Sequence, residues 1–175
     1  MKKILIPIIG VLLFTTSAKA DGFSDNNYSG FSQSQAVFLK AKAFEGMEQN
    51  KHRKQLKNFM KVDPVSIPWC AAFVGAVLKE LGFPTTNSLT AMSYAKYKKE
   101  TKKPEKGDIV VIRRSGGSGA HVGFFNGFKN NGKTVSILGG NQSHKVSVKE
   151  VPTSIVISYR QVTPTKPPVF YNQYL

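Results

Sequence analysis

The spacing of apolar residues changes at Pro104. From Gln35 to Asn50, the residues Val37, Ala41, Phe44 and Met47 recur at the interval of one helix face. A second short helix is expected over His52 to Met60, with Leu56, Phe59 and Met60 turned inward. "DPVSIP" then breaks the chain with two prolines. A third helix starts near Trp69, buries Phe73, Val74, Val77, Leu78 and Leu81, and stops at Gly82 with Pro84 just beyond. Thr90 is placed to cap a short fourth helix around Ala91 to Lys98. Beyond Pro104 the runs "GDIVVIRR", "HVGFFNGF", "KTVSILGGN", "KVSVKEV" and "SIVISYRQV" are short and β-branched, with Gly, Asn, Lys or Pro between them. "NGFKNNGKT" reads as a hairpin turn. Helices first and strands second predict an α+β domain, with the helices packed on an antiparallel sheet.

The two ends follow neither period. Residues 1–20, "MKKILIPIIGVLLFTTSAKA", join a basic start, a short apolar run and an A-x-A ending, the pattern of a cleaved secretory signal peptide. The apolar run is shorter than the roughly 20 residues of a membrane span. Residues 21–34 are rich in Asn, Ser and Gly and read as a flexible lead; 35–162 form the domain; 163–175 are a proline-rich, then aromatic tail. The expected location is secreted or periplasmic, with no stable membrane insertion once the signal is removed.

Charge narrows the partners. The chain has 25 Lys and Arg against 10 Asp and Glu; three of the lysines lie in the first twenty residues, which leaves +12 for the remainder. That excess attracts a polyanion. For an exported protein the cell wall, with its peptide carboxylates and anionic wall polymers, is more available than nucleic acid. No nucleic-acid partner is expected, because no RRM, helix-turn-helix or OB pattern accompanies the charge. "RRSGGSG" also lacks the GK[ST] of a phosphate cradle.

Cys70 is the single cysteine. In an oxidising compartment it cannot close an internal disulfide, so it is either an inert core residue or a working thiol. Ser66 and Pro68 occupy the places of a helix cap and a first-turn proline, which sets Cys70 in the first turn, where the helix dipole favours a thiolate. Such a nucleophile needs an imidazole nearby. His52 lies in the charged stretch "NKHRKQ", and His144 in "NQSHKV" reads as a turn residue. His121 opens the apolar strand "HVGFF" after a glycine loop and is the preferred base. With the hairpin turn near Asn130 and Asn131, paired residue numbers sum to about 261 or 262. That sets His121 across from Gly140 or Asn141, where the Asn141 amide would hold the imidazole tautomer as a third triad member does.

The segments "PWCAAFVGAVLKELGF", "KPEKGDIVVI", "GAHVGFFNG" and "ILGGNQ" together resemble the NlpC-type and CHAP-type papain-like peptidoglycan hydrolases. The similarity runs from about Gln35 to Arg160. It implies a papain-like fold and cleavage of a peptidoglycan amide, either within the stem peptide or between muramic acid and L-alanine. It implies Cys70 as nucleophile, His121 as base and Asn141 as the polar residue on the next strand, with no cofactor and no metal. The Cys70 backbone N–H is the expected oxyanion donor; the upstream glutamine or tyrosine of such enzymes has no match in the motifs. Trp69, Gly119 and Gln142 are candidates for substrate contact, and an immunity or inhibitor protein is a partner the class allows. Two alternatives stand beside this reading. A zinc amidase needs about three ligands, which three scattered histidines without H-E-x-x-H do not supply. A non-catalytic, cationic cell-wall-binding module would use the charge and leave Cys70 and His121 idle.

Overall fold

The computed structural model describes residues 32–114 and 119–162; the expected signal peptide, most of the N-terminal lead and the C-terminal tail lie outside the described residues. Helix α1 (Gln33–Lys42) opens on a capping box, in which Ser32 Oγ accepts from the Gln35 N–H and Gln35 Oε1 accepts from the Ser32 N–H. It therefore begins inside the stretch read as the lead, and it ends well short of Asn50, the chain turning through Gly46 at φ +86°. Helix α2 spans Arg53–Met60 and α3 spans Cys70–Glu80. Trp69 occupies the cap position of α3 without a side-chain hydrogen bond. Ser66 and Pro68 thus stand outside the helix, Ser66 donating its N–H to the Asp63 carbonyl in the preceding turn. Gly82, at φ +72°, closes α3 by donating to the Lys79 carbonyl. The fourth helical segment, Ala91–Lys96, is a 3-10 turn.

Five strands follow: β1 (Ile109–Arg113), β2 (Ala120–Lys129), β3 (Thr134–Gln142), β4 (Lys145–Pro152) and β5 (Val156–Arg160). They pair antiparallel in the order β4-β3-β2-β1-β5. On one face Val111, Val122, Phe124 and Leu138 join a core with Phe73, Val74, Val77 and Leu78 of α3, Val37 and Ala41 of α1, and Leu56 of α2. The other face carries a second cluster of Val110, Ile112, Phe125, Val135, Ile137 and Val151, packed by Ile155, Val156 and Tyr159. Because both faces are apolar, β1 is buried from Ile109 through Ile112 rather than alternating. Each fully buried Leu or Phe contributes roughly 1.5–3 kcal/mol, so this α3–sheet contact is what fixes Cys70 relative to the strands.

The β2–β3 hairpin pairs Phe124 with Leu138 and Phe125 with Ile137, a sum of 262. Toward the turn the sum becomes 263, Gly127 pairing with Ser136, because one extra residue is accommodated where Gly127 adopts φ +136°.

Candidate active site

His121 is the second residue of β2 and pairs with Ile112 of β1. Paired residues share a face and neighbours in a strand alternate, so His121 points to the face opposite Val122 and the α3 core. It is 7% exposed, and its Nε2 is buried without a hydrogen-bond partner.

Two glycines of β3 make room for side chains on its two faces. A side chain on Gly139 would begin 3.1 Å from His121 Nε2 and 3.5 Å from Gln142 Cδ. On Gly140 it would begin 2.5 Å from Trp69 Cζ3 and 2.8 Å from Phe73 Cβ, distances no Cβ tolerates. One glycine therefore leaves room for the imidazole on one side of the strand. The other leaves room, on the opposite side, for the indole that immediately precedes Cys70. The "LGGNQ" segment is thus a steric requirement of the site on both faces.

The strand then bulges. Pairing of β3 with β4 runs at Gly139–Ser147 and resumes, shifted by one, at Gln142–Lys145. Asn141 takes φ +59° within the bulge, a left-handed conformation that Asn tolerates better than most residues. The shift puts Gln142 on the side of Gly139, and its amide is the one that meets His121. Gln142 is buried, and its NH2 group donates to the carbonyls of Ile137 (3.3 Å), Gly139 (3.4 Å) and Ser147. With the nitrogen so committed, Oε1 is the acceptor left for the imidazole. Asn141 is half-buried and lines the cleft.

A cleft of about 660 Å³ opens over these strand ends, lined among others by Ser66, Ile67, Pro68, Ile112, His121, Asn141 and Gln142. Cys70 follows that Ser66–Pro68 lip as the first residue of α3 and is 3% exposed. The first intrahelical bond runs from the Phe73 N–H to the Trp69 carbonyl, so the N–H groups of Cys70, Ala71 and Ala72 have no acceptor within the helix. Tyr94, packed beside the same turn, donates to the Ala71 carbonyl (3.5 Å) and lies close enough to Cys70 for the two to interact electrostatically.

The His121 pKa is pushed down to about 4, chiefly by burial and also by the nearby positive charges of Arg114 and Lys149, with Gln142 opposing them. Gln142 acts in the direction expected of an acceptor, although its bond to Nε2 is not completed. The imidazole is therefore neutral at pH 7, the form of a general base. Among the described residues, no three His, Cys, Asp or Glu side chains are grouped so as to hold a metal ion.

The remaining candidates fall as follows. Trp69 is 0% exposed and offers no surface to a substrate; its indole packs on Phe73 and donates from Nε1 to Gln49 Oε1 at 3.1 Å. Gly119 adopts φ +91° and accepts the Arg114 N–H at 3.2 Å where the glycine loop rejoins β2. His144 lines the cleft at its rim, its Nδ1 3.2 Å from Gln49 Oε1. His52 Nδ1 accepts the Glu48 N–H and stays away from the cleft. Sequence reasoning missed Gln49, Arg113, Arg114 and Lys149, all of which line the cleft. Only a positional signal, Arg113 and Arg114 ending the strand before a glycine loop, hinted at any of them.

A first-turn cysteine, a histidine at the start of a strand and an antiparallel sheet behind them define an α+β domain of papain-like type. Residues 62–141 match the family model of the CHAP domain, in agreement with the resemblance read from the motifs. CHAP domains are typically cysteine- and histidine-dependent amidohydrolases, and peptidoglycan is the substrate the domain implies. The matched segment contains Cys70 and His121 and ends one residue before Gln142. No curated protein matches the chain.

Proposed function

We propose that this chain is an exported cysteine hydrolase that cuts an amide bond of peptidoglycan, within the stem peptide or at its link to muramic acid. The observation that carries the reading is a buried, neutral imidazole held between Gly139 and the Gln142 amide, in a cleft whose lip leads directly into Cys70 at a helix start. Cys70 Sγ attacks the scissile carbonyl carbon. His121 takes the thiol proton and returns it to the departing amine, leaving a thioester on Cys70 that water then hydrolyses. The thiolate that forms beside the imidazole restores its basicity, because an opposite charge favours the protonated ring. The first-turn N–H groups of α3 receive the oxyanion. Gln49 is the second donor: its oxygen is engaged by the Trp69 indole N–H, and its NH2 group is left to donate in the cleft. Gln142 takes the orienting role that register arithmetic alone had given to Asn141.

The test is digestion of purified cell wall, followed by mass analysis of the released muropeptides. Cys70→Ala should abolish product formation with the fold intact by circular dichroism, and a chelator should leave the rate unchanged. Activity that survives Cys70→Ala, or that disappears in the chelator, overturns the mechanism. The products identify the bond, and the mass of the secreted protein shows whether residues 1–20 have been removed.

A further inference from the structure

The cleft has an electrostatic asymmetry that the hydrolytic reading does not use. Its lining includes Arg113, Arg114 and Lys149, with His144 at the rim, and contains no Asp or Glu. Some cations outside the cleft have partners: Arg53 and Lys57 with Asp63, Lys42 with Glu45, Arg160 with Glu100. Among the described residues, Arg113, Arg114 and Lys149 form no ion pair. They also approach His121 from two sides. Arg113 ends β1 immediately after Ile112, the pairing partner of His121, and Arg114 follows it, whereas Lys149 lies on β4 opposite Ile137. In the sheet order β4-β3-β2-β1 these are the two flanks of the strand pair that carries His121 and Gln142.

From this we infer that the cleft is a carboxylate-binding groove, in which Arg114 with Arg113 on one flank and Lys149 on the other seat the free carboxylates of an acidic peptide substrate across His121. The inference rests on the hydrolase reading for the identity of that peptide, the peptidoglycan stem. A guanidinium fork matches a carboxylate with two parallel hydrogen bonds, and a lysine adds a movable point charge. Uncompensated cations around a base are otherwise a cost, since they resist its protonation during catalysis. A bound carboxylate offsets that resistance, so the substrate supplies the counter-charge that the protein omits. The effect of Arg114 and Lys149 on His121 shows that their charges reach the imidazole. Charges scattered on an ordinary solvated surface would not converge on one ring.

The experiment uses the Cys70→Ala protein and a synthetic stem pentapeptide of L-Ala, γ-linked D-Glu, L-Lys and two D-Ala. Binding is compared by calorimetry with that of the same peptide carrying both carboxyls as amides. The acidic peptide should bind roughly ten- to a hundredfold more tightly, the range of a charge-assisted hydrogen bond or two. Arg114→Gln with Lys149→Gln should remove that preference and leave affinity for the amidated peptide within about twofold. Equal binding of the two peptides, or an equal loss for both in the double variant, overturns the groove. Wall digestion by the unsubstituted protein, run in parallel, separates the two levels. Digestion without carboxylate discrimination leaves the hydrolase reading standing and removes only the groove. Discrimination without digestion keeps the groove and removes the hydrolase.

Discussion

His121 should make the stability of this protein depend on pH in a way that a single substitution removes. Its pKa falls from 6.5 to about 4 on folding. Between those values the unfolded chain binds a proton that the folded chain refuses, so acidification favours unfolding. The stabilisation is complete above about pH 6.5, declines as the pH falls through the interval, and is gone below about pH 4. At 1.36 kcal/mol per pH unit, the gap amounts to about 3 kcal/mol. The imidazole is nearly enclosed, so solvent screening removes little of that figure. The perturbation is His121→Gln, which keeps a polar side chain of similar reach beside Gly139 but does not titrate. The assay is equilibrium urea unfolding of both proteins from about pH 7.5 to about pH 4, each fitted with its own slope. Other groups also titrate in or near this range. Burial raises the Asp108 carboxyl pKa, which opposes the trend, and Arg53 holds Asp63 down at about 2. Both act equally in the two proteins and cancel in the difference. The unsubstituted protein should lose about 3 kcal/mol more than His121→Gln over that range. Parallel curves would refute the reasoning and mean that the ring is hydrated in solution.

Three further outcomes are expected. Gln142→Ala should lower kcat by about tenfold or more while KM changes little, since an orienting residue acts through the base; Asn141→Ala should cost less, and steady-state rates on one soluble substrate decide between them. Gly140→Ala places a Cβ 2.5 Å from the Trp69 ring and 2.8 Å from Phe73 Cβ, an overpacking that costs roughly 1–3 kcal/mol. It should lower Tm by several degrees, and activity should fall further than stability because Trp69 adjoins Cys70. Sedimentation with purified wall should weaken from low to high salt, as the net charge of +12 outside residues 1–20 acts over about 8 Å at physiological ionic strength; binding that ignores salt would reduce the charge to a solubility role.

Much of the fold was legible because each element carried its own period. The apolar positions of α3 and the β-branched runs after Pro104 agree with what the core buries. The misses are at boundaries, where one local signal outweighs another. Ser32 and Gln35 form a capping box that starts α1 inside a segment whose composition looks disordered. Ser66 and Pro68 look like a helix start, yet Trp69 takes the cap position, because burying its indole against Phe73 and Gly140 outweighs a cap hydrogen bond worth about 1 kcal/mol. The convergence of the cleft's cations on His121 was not legible. Arg114 and Lys149 approach one ring only through sheet order, and no local pattern encodes that.

The third member of the site shows most clearly what sequence arithmetic leaves out. The hairpin sum was right where β2 and β3 pair, at Phe124 with Leu138. Extended to His121 it selects Asn141, on the assumption that the pleat continues. A one-residue slip moves every later side chain to the other face, and the bulge at Gly140–Asn141 makes that slip. Its signal is present in the sequence, since Gly-Gly-Asn is a run of residues that tolerate left-handed backbone; what is missing is any indication that the run lies within a strand. The consequence is chemical. An unbroken β3 would offer His121 a half-buried amide on the cleft wall, free to turn toward substrate or water. The bulge offers instead a buried amide whose nitrogen is fixed by the carbonyls of Ile137, Gly139 and Ser147. An acceptor anchored in this way cannot flip without breaking those bonds, so an imidazole that bonds to it through Nε2 is held in one tautomer, and in the proposed mechanism Nδ1 is then the basic nitrogen for the thiol.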